Sequence, residues 1–156
     1  KVYADQHGLK FIIARCFAFV GEDLPLDAHF AIGNFIRDAL SRTEIIVNGN
    51  GKPVRSYMDQ RDLAHWLMTL LQSGQEGHAY NVGSNLGLSI SELAHLVRDT
   101  IAPSKQVKIM GDNGKDQAHR NLYIPNIEKA KNELGLGLTI SLAEAIRHTA
   151  SKKSDL

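Results

Sequence analysis

Phe11 to Gly21 reads Phe-Ile-Ile-Ala-Arg-Cys-Phe-Ala-Phe-Val-Gly, a ribbon that is apolar on both alternating faces. Such a ribbon is expected to be a strand buried on two sides, and strands of that kind belong to parallel sheets covered by helices. A parallel strand needs neighbours delivered by crossovers, and Lys1 to Lys10 is too short to carry both a strand and a helix. The expectation is an α/β chain that forms part of something larger.

With 156 residues, 43% of them hydrophobic, the chain has the material for one core. A net charge of +1, with lysines and arginines scattered, gives no basic field to favour nucleic acid. Arg15 interrupts the longest apolar run well short of the roughly 18 residues that a membrane span requires. The lone Cys16 has no internal disulfide partner and reads as a small buried hydrophobe rather than a reactive thiol, which suits the cytoplasm.

Lys1 to Gly8 is expected to be the end of a helix, with Gly8 as its left-handed stop. Ala28, Ile32, Phe35, Ile36, Ala39 and Leu40 recur at helical spacing. Glu44 to Val47 reads as a strand, Asn48 to Pro53 as a turn, and Val54 to Met58 as extended. Leu63, Trp66, Leu67, Leu70 and Leu71 form the stripe of a helix that Asp59 is placed to cap. Ala79 to Gly83 reads as a buried strand, Gln106 to Met110 as a weaker one, and Gly111 to Arg120 as a polar loop. Ser89 with Glu92, and Ser141 with Glu144, have the spacing of capping boxes, while Gly135 closes a short helix over Ile127 to Leu134. Residues 1–150 are read as one unit and residues 151–156 as a frayed tail.

Several chemistries are absent from the spacing. None of the thirteen glycines forms G-x-G-x-x-G; Gly49 and Gly51 come nearest, with Val54 where the third would stand. No tyrosine has a lysine four residues on, so the proton-transfer pair of short-chain dehydrogenases is missing and no catalytic residue is assigned. The seven histidines are dispersed without metal-ligand spacing, and no serine lies in G-x-S-x-G. Three polar side chains remain. Arg55, beside the glycine turn, is suited either to a phosphate fork or to a surface ion pair with Asp59 or Asp62. Arg120 is a similar candidate, and Asn34 either meets a ligand or faces solvent.

These stretches together resemble the carboxy-terminal half of the extended short-chain dehydrogenase/reductases, the NAD-dependent nucleotide-sugar epimerases, 4,6-dehydratases and decarboxylases. His7-Gly8-Leu9 and Arg15-Cys16-Phe17-Ala18-Phe19-Val20-Gly21 are similar to H-G-L and R-x-F-N-x-Y-G-P, and Asn34 to Leu40 is similar to N-F-I-x-x-A-L. Gly49-Asn50-Gly51 with Arg55 and Tyr57 follows G-D-G-x-x-x-R-x-Y, and Asp62-Leu63-Ala64 follows the D-L-A beyond it. Tyr80 to Ser84 and Ser89 to Ala94 follow Y-N-V-G-S and S-I-x-E-L-A.

The resemblance implies an incomplete Rossmann-like α/β fold, with a few parallel strands and the small helical substrate-binding subdomain. It implies that Arg55 and Arg120 meet the diphosphate of a nucleotide diphosphate-sugar, that Asn34 lies beside the nucleotide, and that Cys16 and Phe17 sit near the nicotinamide of NAD. Ala18 stands where the family often has a substrate-binding asparagine, Val20 replaces an aromatic residue and Glu22 a proline. The chain alone is expected to be catalytically inert and to self-associate as a homo-oligomer. The alternative is a non-catalytic binding or assembly module on the same scaffold.

Overall fold

The computed structural model describes residues 2–111 and 122–154. Its strands are short and almost all parallel. β1 (Ile13–Cys16) runs beside β6 (Ala79–Val82), Ile13 opposite Ala79 and Cys16 opposite Val82. β2 (Phe19–Val20) runs beside β5 (Met58–Asp59), and β3 (Glu44–Val47) beside β8 (Gln106–Ile109). β4 (Val54–Arg55) lies between antiparallel β7 (Leu88–Ser89) and parallel β9 (Leu122–Tyr123).

The apolar ribbon is therefore two strands rather than one. The Phe17 amide still donates to the Val82 carbonyl at 3.0 Å, but the Ala18 carbonyl already accepts from the Met58 amide at 3.0 Å. The ribbon changes partner at Phe17-Ala18, and a strand that leaves one neighbour for another opens a crevice between them. Burial also departs from expectation. All four residues of β1 are exposed, Cys16 among them, whereas Val20 is buried. An apolar alternation makes burial favourable, but burial needs layers on both faces. Among the described residues β1 has one strand neighbour, β6.

The helices are α1 (Val2–His7), ahead of the first strand, α2 (Ala31–Ser41), α3 (Gln60–Ser73) and α4 (Ile90–Ile101) between strands, and α5 (Glu128–Leu134) and α6 (Leu142–Ser154) after the last. α1 buries nothing, and Gly8 behind it has the positive φ of a helix stop. α2 starts three residues later than its apolar spacing suggests, because Phe30 is extended (φ −108°, ψ 121°) and its amide bonds back to the Ala28 carbonyl. The Asp59 carboxylate accepts the Arg61 amide and caps α3. Ser89 and Glu92 form the reciprocal capping box of α4, and the Ser141 hydroxyl accepts the Glu144 amide before α6. Gly135, left-handed at φ 65°, ends α5. α6 continues through Ser154, past the point where fraying was expected, and Arg120 lies outside the described residues.

Two apolar clusters form the interior. One joins α2, β3, α4 and α6 through Ile36, Ile45, Val97 and Ile146, and the other joins α3, β6 and α5 through Trp66, Tyr80 and Ala130. Trp66 Nε1 donates to the Gly137 carbonyl at 3.0 Å. The buried Asp62 carboxylate accepts the Thr139 amide at 3.0 Å, the Ile140 amide at 3.1 Å and the Thr139 hydroxyl. A buried carboxylate costs free energy unless such donors satisfy it, so this set fixes the 136–141 segment against α3.

Candidate functional site

The crevice opened at Phe17-Ala18 widens into a cavity of about 550 Å³, walled by Phe17, Ala18, Phe30, Arg55, Tyr57 and Tyr123 among others. The i, i+2 spacing of Arg55 and Tyr57 gives both side chains to this one cavity, as extended backbone does. Tyr123 reaches it because β9 pairs with β4, Arg55 opposite Tyr123. A second, more polar cavity of about 370 Å³ is bounded by Asn34, Arg37, Asp38, Arg42, Ile46 and Asn48. The two share walls at His29, Ala31 and Ile90.

Ala18, Phe17 and Arg55 thus come together in the larger cavity, and Asn34 stands in the smaller one. Cys16 is not among the residues lining either. The partial burial it has pushes its thiol pKa up, which disfavours the nucleophilic thiolate. The two carboxylates considered as partners for Arg55 accept from other donors. Asp59 takes Arg61 Nε and Nη2, each at 2.9 Å, and Asp62 takes the Thr139 and Ile140 amides. Arg55 Nη1 donates to its neighbour's carbonyl, that of Val54, at 2.8 Å.

Tyr57 is a cavity residue that the candidate set passed over, although its spacing from Arg55 was the available signal. Burial pushes its phenol up to about 12, against a smaller opposing pull from the Arg55 charge. Tyr57 therefore keeps its proton at neutral pH and offers a hydroxyl, not a phenolate base. Tyr123, Phe30 and Arg37 were missed as well. Their places depend on long-range pairing or on a turn, neither of which leaves a local pattern.

A dinucleotide cradle needs glycines whose backbone lies open to a pyrophosphate at a strand-to-helix turn. The glycine turn here links β3 to β4, and a Cβ on Gly51 would meet the Ser91 side chain at 2.9 Å. Gly51, at φ 70°, serves a close approach to the start of α4, where its carbonyl accepts the Ser91 amide at 2.9 Å. That turn, the nearest approach to a dinucleotide motif among the described residues, does not fit an NAD pyrophosphate. Among them there is also no metal-holding cluster of His, Cys, Asp and Glu, and no helix long and apolar enough to cross a membrane.

Comparisons with known proteins bear on the family and the fold. UDP-glucuronic acid decarboxylase 6 of Arabidopsis thaliana is 31% identical over 144 residues, which are 92% of this chain and 41% of that protein. UDP-glucuronic acid decarboxylase 1 of Xenopus tropicalis is 26% identical over 94% of this chain and 34% of its own length. The chain thus spans about two fifths or less of these relatives. In fold, 99% of it matches 49% of the Thermotoga maritima UDP-glucose 4-epimerase with UDP-glucose, at a TM-score of 0.85 and 21% identity. It also matches 48% of the Bacillus anthracis dTDP-glucose 4,6-dehydratase in complex with NAD, at 0.81 and 21%. These likenesses give the chain a Rossmann-like α/β fold. Residues 1–83 match the sequence profile of the NAD dependent epimerase/dehydratase family, and the chain belongs to that family.

Proposed function

We propose that residues 1–150 form the nucleotide-sugar side of an NAD-dependent epimerase, 4,6-dehydratase or decarboxylase, the redox chemistry residing in NAD held elsewhere than in the described residues. The observation that carries this reading is the pair Arg55 and Tyr57, which put a fixed cation and a neutral hydroxyl on the wall of a mostly apolar cavity. An arginine fork suits a diphosphate, the aromatic and aliphatic wall suits a sugar ring, and the adjoining polar cavity with Asn34 is of a size for part of the nucleotide. Nothing in this chain supplies the tyrosine and lysine of proton transfer, so alone it binds without turning substrate over.

Ala18 favours a second reading. It brings a methyl group to the cavity wall, where the family often has an amide, and this suits a module that binds but takes no part in catalysis.

Isothermal titration of this chain with uridine, thymidine, cytidine and guanosine diphosphates tests the first reading. Binding of one diphosphate that is lost in Arg55→Ala supports it, and absence of binding to all of them overturns it. The intact protein that carries this chain, assayed with nucleotide sugars and NAD, separates the readings, since the second expects binding with no turnover.

A further inference from the structure

Asp38, on α2, is 2% exposed and carries a carboxylate in need of donors. Its Oδ1 accepts from Arg37 Nε at 3.2 Å, Arg37 Nη2 at 3.0 Å and Arg42 Nε at 3.1 Å, and its Oδ2 accepts from the Ile46 amide at 3.4 Å. Two nitrogens of the Arg37 guanidinium are therefore engaged, and because the group is planar the direction of the third is set with them. That third nitrogen, Nη1, donates to Asn34 Oδ1 at 3.2 Å and to the Leu26 carbonyl at 3.3 Å.

A carboxamide can show a ligand either its oxygen or its nitrogen, and the two ask for opposite partners. Here the oxygen is occupied by a cation. The Asn34 nitrogen has no partner among the described residues, and Asn34 lines the smaller cavity. We propose that Arg37 is a positioning residue: held on Asp38, it turns the Asn34 amide so that its N–H donors face the cavity and select a ligand atom that accepts. The same nitrogen tethers Leu26, in the segment that brings Leu24, His29 and Phe30 to the wall of the larger cavity. One guanidinium thus coordinates the walls of both cavities. The inference rests on the nucleotide reading and adds to it a donor that suits an acceptor-rich, anionic group.

The probe is uridine diphosphate, added to ¹⁵N-labelled protein and followed by NMR and calorimetry. Arg37→Lys keeps the charge but loses the planar fork, whereas Asn34→Asp keeps an acceptor for Arg37 and loses the donor. In the unaltered protein the Asn34 side-chain amide signals shift on adding the diphosphate. Arg37→Lys loses that response and binds about tenfold more weakly, the loss expected for one hydrogen bond to a charged group, and Asn34→Asp, which also sets a like charge beside the ligand, binds at least as weakly. The double variant binds no more weakly than Asn34→Asp, because both changes remove one interaction.

Unaltered affinity in Arg37→Lys, or penalties that add, overturns the positioning role. A measurement without any variant guards against misfolding: ligand-free protein should give a slowly exchanging Arg37 Nη1 proton, and its absence also overturns the role. If the unaltered protein binds no diphosphate while that proton is present, the nucleotide reading fails and the Arg37 geometry stands apart from it.

Discussion

The rings of Phe17 and Tyr123 lie 4.8 Å apart between centroids, tilted by 32°, on the wall of the larger cavity. Phe17 sits where the apolar ribbon changes partner, and Tyr123 arrives on β9 beside Arg55. Their contact ties the strand-switch crevice to the edge strand that completes the cavity.

Tyr123→Ala removes this contact from a residue that is half exposed. An aromatic pair contributes about 0.5 to 1.5 kcal/mol beyond burial, so unfolding should shift only modestly. Nucleoside diphosphate affinity should fall several-fold because the cavity loses one wall. Calorimetry beside a urea melt checks both, and an unchanged Kd removes Tyr123 from the site.

Arg55→Lys separates geometry from charge. A lysine retains the cation but not the bidentate fork, and it is more strongly hydrated. Affinity for a diphosphate is expected to fall by about tenfold, with Arg55→Ala falling further, while affinity for the bare nucleoside changes little. Equal losses for nucleoside and diphosphate would place Arg55 elsewhere than at the phosphates.

Asp62→Ala leaves the Thr139 and Ile140 amides without their acceptor in the interior. A buried carboxylate with several donors is a costly group to delete, and about 3 kcal/mol of stability should be lost in a urea melt. Asp62→Asn keeps one acceptor oxygen and should lose less. A change under about 0.5 kcal/mol, the range of an ordinary surface substitution, would refute the staple.

Acid should weaken the start of α3. Burial pushes the Asp59 carboxyl up, but the Arg61 hydrogen bonds and charge outweigh it and hold the pKa below the ordinary value of 3.8. A carboxyl lowered in the folded state favours folding above its unfolded pKa, and that contribution is lost as pH falls through the folded value. Asp59→Asn, which keeps the cap but not the charge, should be less stable than the unaltered protein at pH 7. The difference should shrink as pH drops toward 3.8 and below. A constant difference from pH 7 to pH 2 would exclude the ion pair as its source.

Self-association is expected through β1. Its four residues are exposed, and Ile13 and Cys16 lie on a strand with one neighbour among the described residues. Unpaired strand edges recruit other strands, and a charge on the edge discourages them. Light scattering should report species larger than a monomer, reduced in Ile13→Lys. A monodisperse monomer at micromolar concentration refutes the expectation.

The sequence by itself determined the local grammar of this chain. The caps at Asp59 and Ser89, the stop at Gly135 and the helical spacing of α3 depend on residues within one or two turns, so local pattern is sufficient, although Leu67 and Leu71 of the α3 stripe stay exposed. The order of family-like segments identified the scaffold, and Arg55 and Asn34 were legible as polar groups set among glycines or apolar neighbours. Tertiary structure decided the rest. It split the apolar ribbon at Phe17-Ala18 and left Cys16 exposed, because burial depends on which layers cover a strand and not on the strand's own residues. It brought Tyr123 to Arg55 across 68 positions of chain through a parallel pairing whose register no local pattern encodes. It also turned Arg37 from a charge on a helix surface into the group that orients Asn34, since that role depends on a carboxylate buried by the packing around α2.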